Sequence, residues 1–185
     1  MLSEYRERLQ TVIAGLDMAQ IRAVGELLRD VQAAGSLVLV VGNGGGAATA
    51  SHLASDLQKL TRVCGSRAIK ALALTDSVAL ITAWANDTSF EMCLAAQLDV
   101  FVEDTAVLVC ISAGGASPNV LAAARSAKTH GITVVGITSA ATPLAQLSDH
   151  AVQIPSTDMQ IIEDCQAVVC HMLSRFAAER GEGTC

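Results

Sequence analysis

Hydrophobic and polar positions follow two alternating periods along the chain, and this alternation predicts a regular succession of strands and helices. Short apolar runs rich in β-branched residues are typical of buried strands, and they occur five times. They cover residues 37–41, 69–74, 106–111, 132–137 and 151–154. Between them, apolar residues recur three and four positions apart, as in amphipathic helices. These helices are predicted over residues 47–60, 77–83, 90–102, 118–129, 142–147 and 159–178.

Strands that alternate with helices predict an α/β fold, a three-layer sandwich with a five-stranded parallel sheet flanked by helices. In such sheets, ligands bind at the carboxyl ends of the strands. The 185 residues are enough for one domain with a sizeable core, and we predict a single domain over residues 1–185. The polar residues 181–185 are predicted to form a flexible tail.

Two amphipathic helices are predicted before the first strand, within residues 3–34, with a break near residues 15–17. No strand precedes them, so their apolar faces must cover either their own sheet or a neighbouring subunit. We therefore predict that residues 1–35 form an N-terminal helical pair that contributes contacts in a homo-oligomer.

Composition and net charge limit the kinds of molecule that the protein is expected to bind. Hydrophobic residues make up 51% of the chain and aromatic residues only 3%, which suits helices packed closely on a parallel sheet. A net charge of −6 gives no general attraction to nucleic acid or anionic membranes, although a local anion site remains possible. The chain has no apolar run of membrane-spanning length, and its six cysteines have no CxxC spacing. We predict a cytoplasmic protein that binds neither nucleic acid nor membrane.

A glycine-rich loop follows the first predicted strand. It reads Gly42-Asn43-Gly44-Gly45-Gly46, and a helical segment begins directly after it. Glycine lets the backbone approach a ligand closely, and the first N–H groups of a helix attract anions. The pattern also fits the loose dinucleotide-binding fingerprint, but the acid expected about 20 residues later is missing around Ser66. A tight turn without a ligand is the third interpretation.

A second loop of similar character follows the third predicted strand. It reads Ser112-Ala113-Gly114-Gly115-Ala116-Ser117-Pro118-Asn119. The hydroxyls of Ser112 and Ser117 can donate to phosphate oxygens alongside backbone N–H groups. Taken alone, Ser117 is better explained as the N-cap of the next helix, which Pro118 would begin. Two such loops at neighbouring strand ends favour a ligand site.

Histidine and carboxylate side chains occur on two of the predicted helices. His52 and Asp56 lie four residues apart and therefore share one helix face. Glu163 and His171, eight residues apart, can lie on one broad face of the last helix. Together they form a suitable donor set for a divalent metal such as zinc. The alternative is that the histidines are packed or hydrogen-bonded and that Glu163 interacts with the helix dipole.

A further polar segment follows Trp84. Asp87 is flanked by Asn86 and Thr88 and is predicted to lie between two helices. Its carboxylate can cap a helix or accept a hydrogen bond from a substrate hydroxyl, and both interpretations stay open.

Taken in order, these motifs resemble the sugar isomerase (SIS) domain family and, within it, the phosphoheptose isomerases. The similarity runs over nearly the whole chain, and the ordered set is much more specific than any single motif. The matching segments are Gly-Asn-Gly-Gly-x-Ala-Ala from Gly42, His52 with an acid four residues later, Leu74-Thr75-Asp76, Trp84-Ala85-Asn86-Asp87-Thr88, residues 112–119, Glu163-Asp164 and His171.

The resemblance implies the SIS fold and an enzyme similar to sedoheptulose 7-phosphate isomerase, a cytoplasmic homotetramer with active sites between subunits and commonly a bound zinc. By the same resemblance, the loop over residues 112–117 binds the phosphate. The implied zinc ligands are His52, Asp56, Glu163 and His171. The implied sugar-binding residues are Asn43, Gly44, Gly45 and Gly46.

The chain departs from the family pattern at the site itself. Asp56 stands where the family usually has Glu, Glu163 where it usually has Gln, and Gly46 where it usually has Ser. The usual phosphate loop Ser-Thr-Ser-Gly-Asn-Ser reads Ser-Ala-Gly-Gly-Ala-Ser over residues 112–117. Backbone N–H groups can still hold phosphate, but the loss of side-chain donors weakens its binding or admits another substrate.

An aldose–ketose isomerase moves a proton between C1 and C2 of the sugar through an enediol. We expect Asp56 to act as the base and His171 as the acid, with zinc fixing the sugar oxygens. A zinc-bound Asp is a weaker base, so the two roles of Asp56 compete. The alternatives are a non-catalytic SIS module that binds a phosphosugar or a protein partner, and an isomerase of an octulose or pentulose phosphate in antibiotic sugar biosynthesis.

Overall fold

The computed structural model describes residues 2–64 and 67–179, and the predicted five-stranded parallel sheet is confirmed. The strand order is β2-β1-β3-β4-β5, and every neighbouring pair is parallel. The strands are β1 (Leu37–Gly42), β2 (Lys70–Ala73), β3 (Thr105–Ile111), β4 (Thr133–Ser139) and β5 (His150–Ile154). From β1 the next strand, β2, is added on one side of the sheet, whereas β3, β4 and β5 are added on the other side. The boundary between β1 and β3 is therefore the switch point where α/β sheets bind ligands.

Helices pack on both faces of this sheet, as predicted for a three-layer sandwich. The helices are α1 (Leu2–Ala14), α2 (Met18–Ala34), α3 (Gly45–Val63), α4 (Val78–Asp87), α5 (Ala95–Leu98), α6 (Pro118–Thr129), α7 (Pro143–Leu147) and α8 (Met159–Ala178). One core lies between the sheet and α2, α3 and α8, with α1 packed on α8. The other core lies between the sheet and α5, α6 and α7. The central strands β1, β3 and β4 are therefore buried, whereas the edge strand β2 leaves Lys70 and Leu72 exposed on one face.

The N-terminal helical pair packs on its own domain. The Asp17 carboxylate caps α2 by accepting a hydrogen bond from the Ala19 backbone N–H at 2.9 Å. Gly35 ends the helix in the left-handed conformation, with φ of 72°. The buried stripe of α2 faces the sheet and α8, whereas α1 buries no residue completely. Oligomer contacts through residues 1–35 therefore stay a prediction. Such contacts would have to use the faces of α1 and α2 that point away from the sheet and α8.

The segment over residues 90–102 differs from the single helix predicted for it. It begins with a run of turns, continues as the short helix α5 and ends in a 3₁₀ turn, Asp99–Phe101. Cys93, Leu94 and Leu98 are buried, whereas Phe90 is exposed. Its fully buried residues are confined to positions 93–98, with Phe90 and Val100 exposed on either side, and the segment does not form one continuous helix.

Four cysteines, Cys93, Cys110, Cys165 and Cys170, are buried free thiols. Burial raises the pKa of the Cys170 thiol to about 12, and the negative charge of Asp56 adds to the effect. Such thiols stay protonated at neutral pH and pack as small apolar side chains.

Across the two described ranges, 2–64 and 67–179, we find no helix with the length and apolarity needed to cross a bilayer. The predicted tail over residues 181–185 lies outside these ranges.

Candidate active site and metal centre

The carboxyl ends of β1 and β3 meet at the switch point of the sheet, where Gly42 pairs with Ile111. Helix α3 begins at Gly45, two residues earlier than the sequence pattern predicts, so two of the loop glycines form its first turn. A Cβ at Gly42 would overlap the carbonyl group of Gly46. Only glycine therefore allows the first turn of α3 to sit directly on the end of β1.

The amino end of α3 is built entirely from backbone. Its N-cap is Gly44, with φ of 52°, and it has no side-chain cap. The first N–H groups of the helix are therefore left for a ligand, and the helix dipole favours a negative one. A Cβ at Gly46 would lie 2.9 Å from the carbonyl oxygen of Ile111, so the serine usual in the family would need the two backbones to move apart.

The loop over residues 112–117 is folded against itself. The hydroxyl of Ser112 accepts a hydrogen bond from the Gly115 backbone N–H at 3.2 Å and lies 3.4 Å from the hydroxyl of Ser117. Ser117 occupies the N-cap position of α6, but its side chain makes no cap hydrogen bond. The two hydroxyls therefore lie close to one another within the loop. Ser117 has the backbone position of an N-cap residue, but its side chain does not cap the helix.

The two loops enclose a cavity of about 370 Å³, which we call the loop cavity. Among the predicted site residues, it is lined by Asn43, Gly46, Ser112, Ala113, Gly114, Ser117 and Glu163. The glycines Gly44, Gly45 and Gly115 are not part of its lining but shape the backbone beside it. The structure therefore brings most of the predicted substrate-binding residues together.

Asn119 joins the two loops, and sequence reasoning did not single it out. Its amide exchanges two hydrogen bonds with the amide of Asn43, at 2.7 and 2.8 Å. Asn119 is 2% exposed, and its Oδ1 also accepts from the Val120 backbone N–H at 3.0 Å. The available signal was an amide two residues after Ser117, in a loop expected to face the glycine loop.

His52, Asp56 and His171 form a compact group, which we call the His-Asp-His cluster. The Oδ2 atom of Asp56 lies 3.6 Å from His52 Nε2 and 3.8 Å from His171 Nε2. The two Nε2 atoms are 3.4 Å apart, and the rings meet edge to face. The cluster opens on a cavity of about 360 Å³ that Ser174 and Arg175 also line.

These distances suit a zinc ion. Ligand atoms bound tetrahedrally at about 2.0–2.1 Å from zinc lie about 3.3 Å from one another. The three pairs of ligand atoms in the His-Asp-His cluster are 3.4, 3.6 and 3.8 Å apart, so small side-chain adjustments would complete one face of a tetrahedron. The prediction that this part of the chain offers a metal site is supported by geometry as well as by residue type.

Glu163 lies away from the cluster. Its carboxylate oxygens are 3.3 and 3.4 Å from where a Cβ of Gly45 would stand, at the amino end of α3. Glu163 and His171 are eight residues apart, about 12 Å along the axis of α8. Because α3 and α8 run side by side in the same direction, Glu163 meets the start of α3 whereas His171 meets His52 and Asp56.

Asp87 also lies apart from the loop cavity. It is an exposed residue at the carboxyl end of α4, and its Oδ1 accepts a hydrogen bond from the Asn86 side chain at 2.9 Å. It caps no helix through a described hydrogen bond, and a role in sugar binding stays a prediction.

Comparison with known proteins agrees with this architecture. A family model described as SIS domain matches residues 2–139, which include both loops, His52 and Asp56 but not α8. The phosphoheptose isomerase of Maridesulfovibrio salexigens is 36% identical over 155 residues, covering 80% of this chain and 74% of that protein. The lincomycin biosynthesis protein LmbN of Streptomyces lincolnensis is 38% identical over 162 residues, covering 82% of this chain and 59% of that protein.

A solved structure extends the match to the fold of the last helix. The structure of a phosphoheptose isomerase from Francisella tularensis superposes with a TM-score of 0.89 and covers 97% of each chain, at 24% sequence identity. At that identity the superposition establishes the fold, whereas the SIS domain model and the Maridesulfovibrio salexigens relative establish the family.

Proposed function

Because the chain belongs to the SIS domain family and has phosphoheptose isomerases among its relatives, we propose that it is an aldose–ketose isomerase of a sugar phosphate. The proposed substrate is sedoheptulose 7-phosphate or a closely related ketose phosphate, which is converted to the heptose 7-phosphate. The observation that carries this proposal is that α3 and α8 place two features near one another. The loop cavity, which suits an anion, lies at the amino end of α3, and the His-Asp-His cluster lies further along both helices.

The separation of these two features favours a long substrate. The loop cavity lies at the level of Glu163, and the cluster lies at the level of His171, about 12 Å further along α8. A ligand with its phosphate in the loop over residues 112–117 reaches the cluster only if an extended carbon chain follows the phosphate. This argument supports a ketose phosphate with a long chain over a compact one.

We propose that zinc is held by His52, Asp56 and His171, with Glu163 as the fourth ligand only if its side chain moves towards the cluster. When bound there, zinc supplies Lewis-acid polarisation of the carbonyl and fixes the sugar oxygens. The two imidazole rings meet edge to face, with their Nε2 atoms 3.4 Å apart, so both nitrogens would be within reach of one ion.

Asp56 is proposed to move the proton between C1 and C2. Its Oδ2 faces both histidines, so Oδ1 remains to take the proton from one carbon and return it to the other. His171 is proposed as the acid that protonates the carbonyl oxygen, and this role competes with its role as a ligand because its Nε2 faces the cluster.

A panel of ketose phosphates tests this function. We expect turnover with sedoheptulose 7-phosphate or with an octulose phosphate, the latter included because LmbN, an antibiotic-biosynthesis protein, is among the relatives. Pentulose phosphates should react much more slowly, since they are too short to join the loop cavity to the cluster. Binding of these sugars without turnover in zinc-loaded protein would instead favour a non-catalytic SIS module.

We propose a homotetramer in which α4 provides a subunit contact. The helix reads Val-Ala-Leu-Ile-Thr-Ala-Trp-Ala-Asn-Asp, yet none of its residues is buried. Val78 is 72% exposed, and Phe90 beyond the helix is 57% exposed. An apolar surface of this kind on a helix favours burial against another protein chain.

Val78→Lys is expected to weaken self-association, because it places a charge in the proposed contact. Light scattering after size-exclusion chromatography measures the mass. Val100→Lys is the matched control, since Val100 has the same 72% exposure but lies outside α4. The proposal for α4 is wrong if both variants have the mass of the parent protein.

A further inference from the structure

Glu163 brings a negative charge to a cavity that is otherwise suited to an anion. It lines the loop cavity together with Ser112, Ser117 and Asn43. The described residues that line this cavity include no Lys, Arg or His, so Glu163 is its only charged member. A phosphate bound there would be held by hydroxyls and backbone N–H groups, with a carboxylate beside it.

The carboxylate and a bound anion would share one source of positive potential. The oxygens of Glu163 stand over Gly45, in the first turn of α3, where the N–H groups and the helix dipole favour negative charge. The same helix end faces the loop cavity through Gly46. Since Glu163 is exposed and has no described cation as a partner, its charge is not neutralised by an ion pair within the described residues.

We propose that Glu163 is a specificity-determining residue that weakens the binding of dianionic groups in the loop cavity. Small anions gain nothing that offsets this repulsion, whereas a long polyol phosphate gains further contacts along α3 and α8. The effect selects the extended sugar phosphate against the inorganic phosphate and short phosphate esters that compete with it. This inference rests on the proposed function, because it assumes that the loop cavity binds the phosphate.

The experiment compares Glu163→Gln with the parent protein, using inorganic phosphate as the probe at pH 8 and low ionic strength. Gln keeps the size of the side chain and removes its charge, so phosphate should bind about fivefold more tightly. The gain should shrink as salt is raised, because ions screen the repulsion. Calorimetric titration measures both. Glu26→Gln, on the exposed side of α2, is the control for net charge and should leave phosphate affinity unchanged.

The outcomes separate this inference from the proposed function. Phosphate binding to the parent protein that is no weaker than to Glu163→Gln would overturn the inference and leave the isomerase proposal standing. Binding to neither protein would overturn the inference, whereas the isomerase proposal fails only if the panel of ketose phosphates shows no turnover. Zinc content, measured on the same samples, should be equal in the two proteins. A loss of zinc in Glu163→Gln without tighter phosphate binding would identify Glu163 as a metal ligand and also overturn the inference.

Discussion

Asp56→Asn is expected to lower isomerase turnover by about 10³-fold, the contribution typical of a positioned proton-transfer group. A neutral amide has no atom basic enough to take the proton from carbon, and it is a poorer metal ligand than a carboxylate. Asp56 is partly exposed, and its described contacts are with the two histidines, so the fold should be retained. Steady-state turnover with the best ketose phosphate, together with circular dichroism, measures both effects.

Zinc analysis of the same variant separates the two roles of Asp56. Loss of turnover with zinc retained identifies a proton-transfer residue, whereas parallel loss of zinc and turnover identifies a ligand. Asp30→Asn makes the same chemical change at an exposed residue of α2 that is not part of the cluster, and should leave turnover unchanged. Turnover of Asp56→Asn within twofold of the parent would contradict any role for Asp56 in the chemistry.

The sheet was predictable because strand signals are local. The β-branched runs and the helical periods between them predict a parallel sheet, and all five strands lie within two residues of their predicted bounds. The segment over residues 90–102 was not predictable in this way. Its apolar residues fit a helical period, but which of them reach the core depends on α6 and the sheet, which lie far away in sequence.

The site residues also differ in whether local sequence patterns could predict their positions. A spacing of four residues is enough to place His52 and Asp56 on one face of α3, as the structure has them. His171 joins them and Glu163 does not, because of the way α8 packs along α3. Residue spacing within one helix does not predict how two helices pack. The Asn43–Asn119 pair is equally long-range, since it exists only because β1 and β3 are neighbours.

Gly115 lies at the tightest point of the loop over residues 112–117 and adopts φ of 59°. Its N–H donates to Ser112, and its carbonyl accepts a hydrogen bond from the Leu144 backbone N–H at 3.0 Å. A Cβ at this position would overlap Thr142 and lie 2.6 Å from the Thr138 hydroxyl. The loop over residues 112–117 is thus held against Thr142 and the first turn of α7 at a point that only glycine fits.

Gly115→Ala is therefore expected to destabilise the protein by about 2–4 kcal/mol, from the unfavourable φ and from overpacking against Thr142. Urea unfolding measures this change. Substrate affinity should fall as well, because displacement of the loop moves Ser112 and Ser117 apart. The matched control is Gly114→Ala, since a Cβ at Gly114 meets no atom within 4 Å and its φ is not positive. If the two variants unfold at the same urea concentration, the loop is not held in place at Gly115.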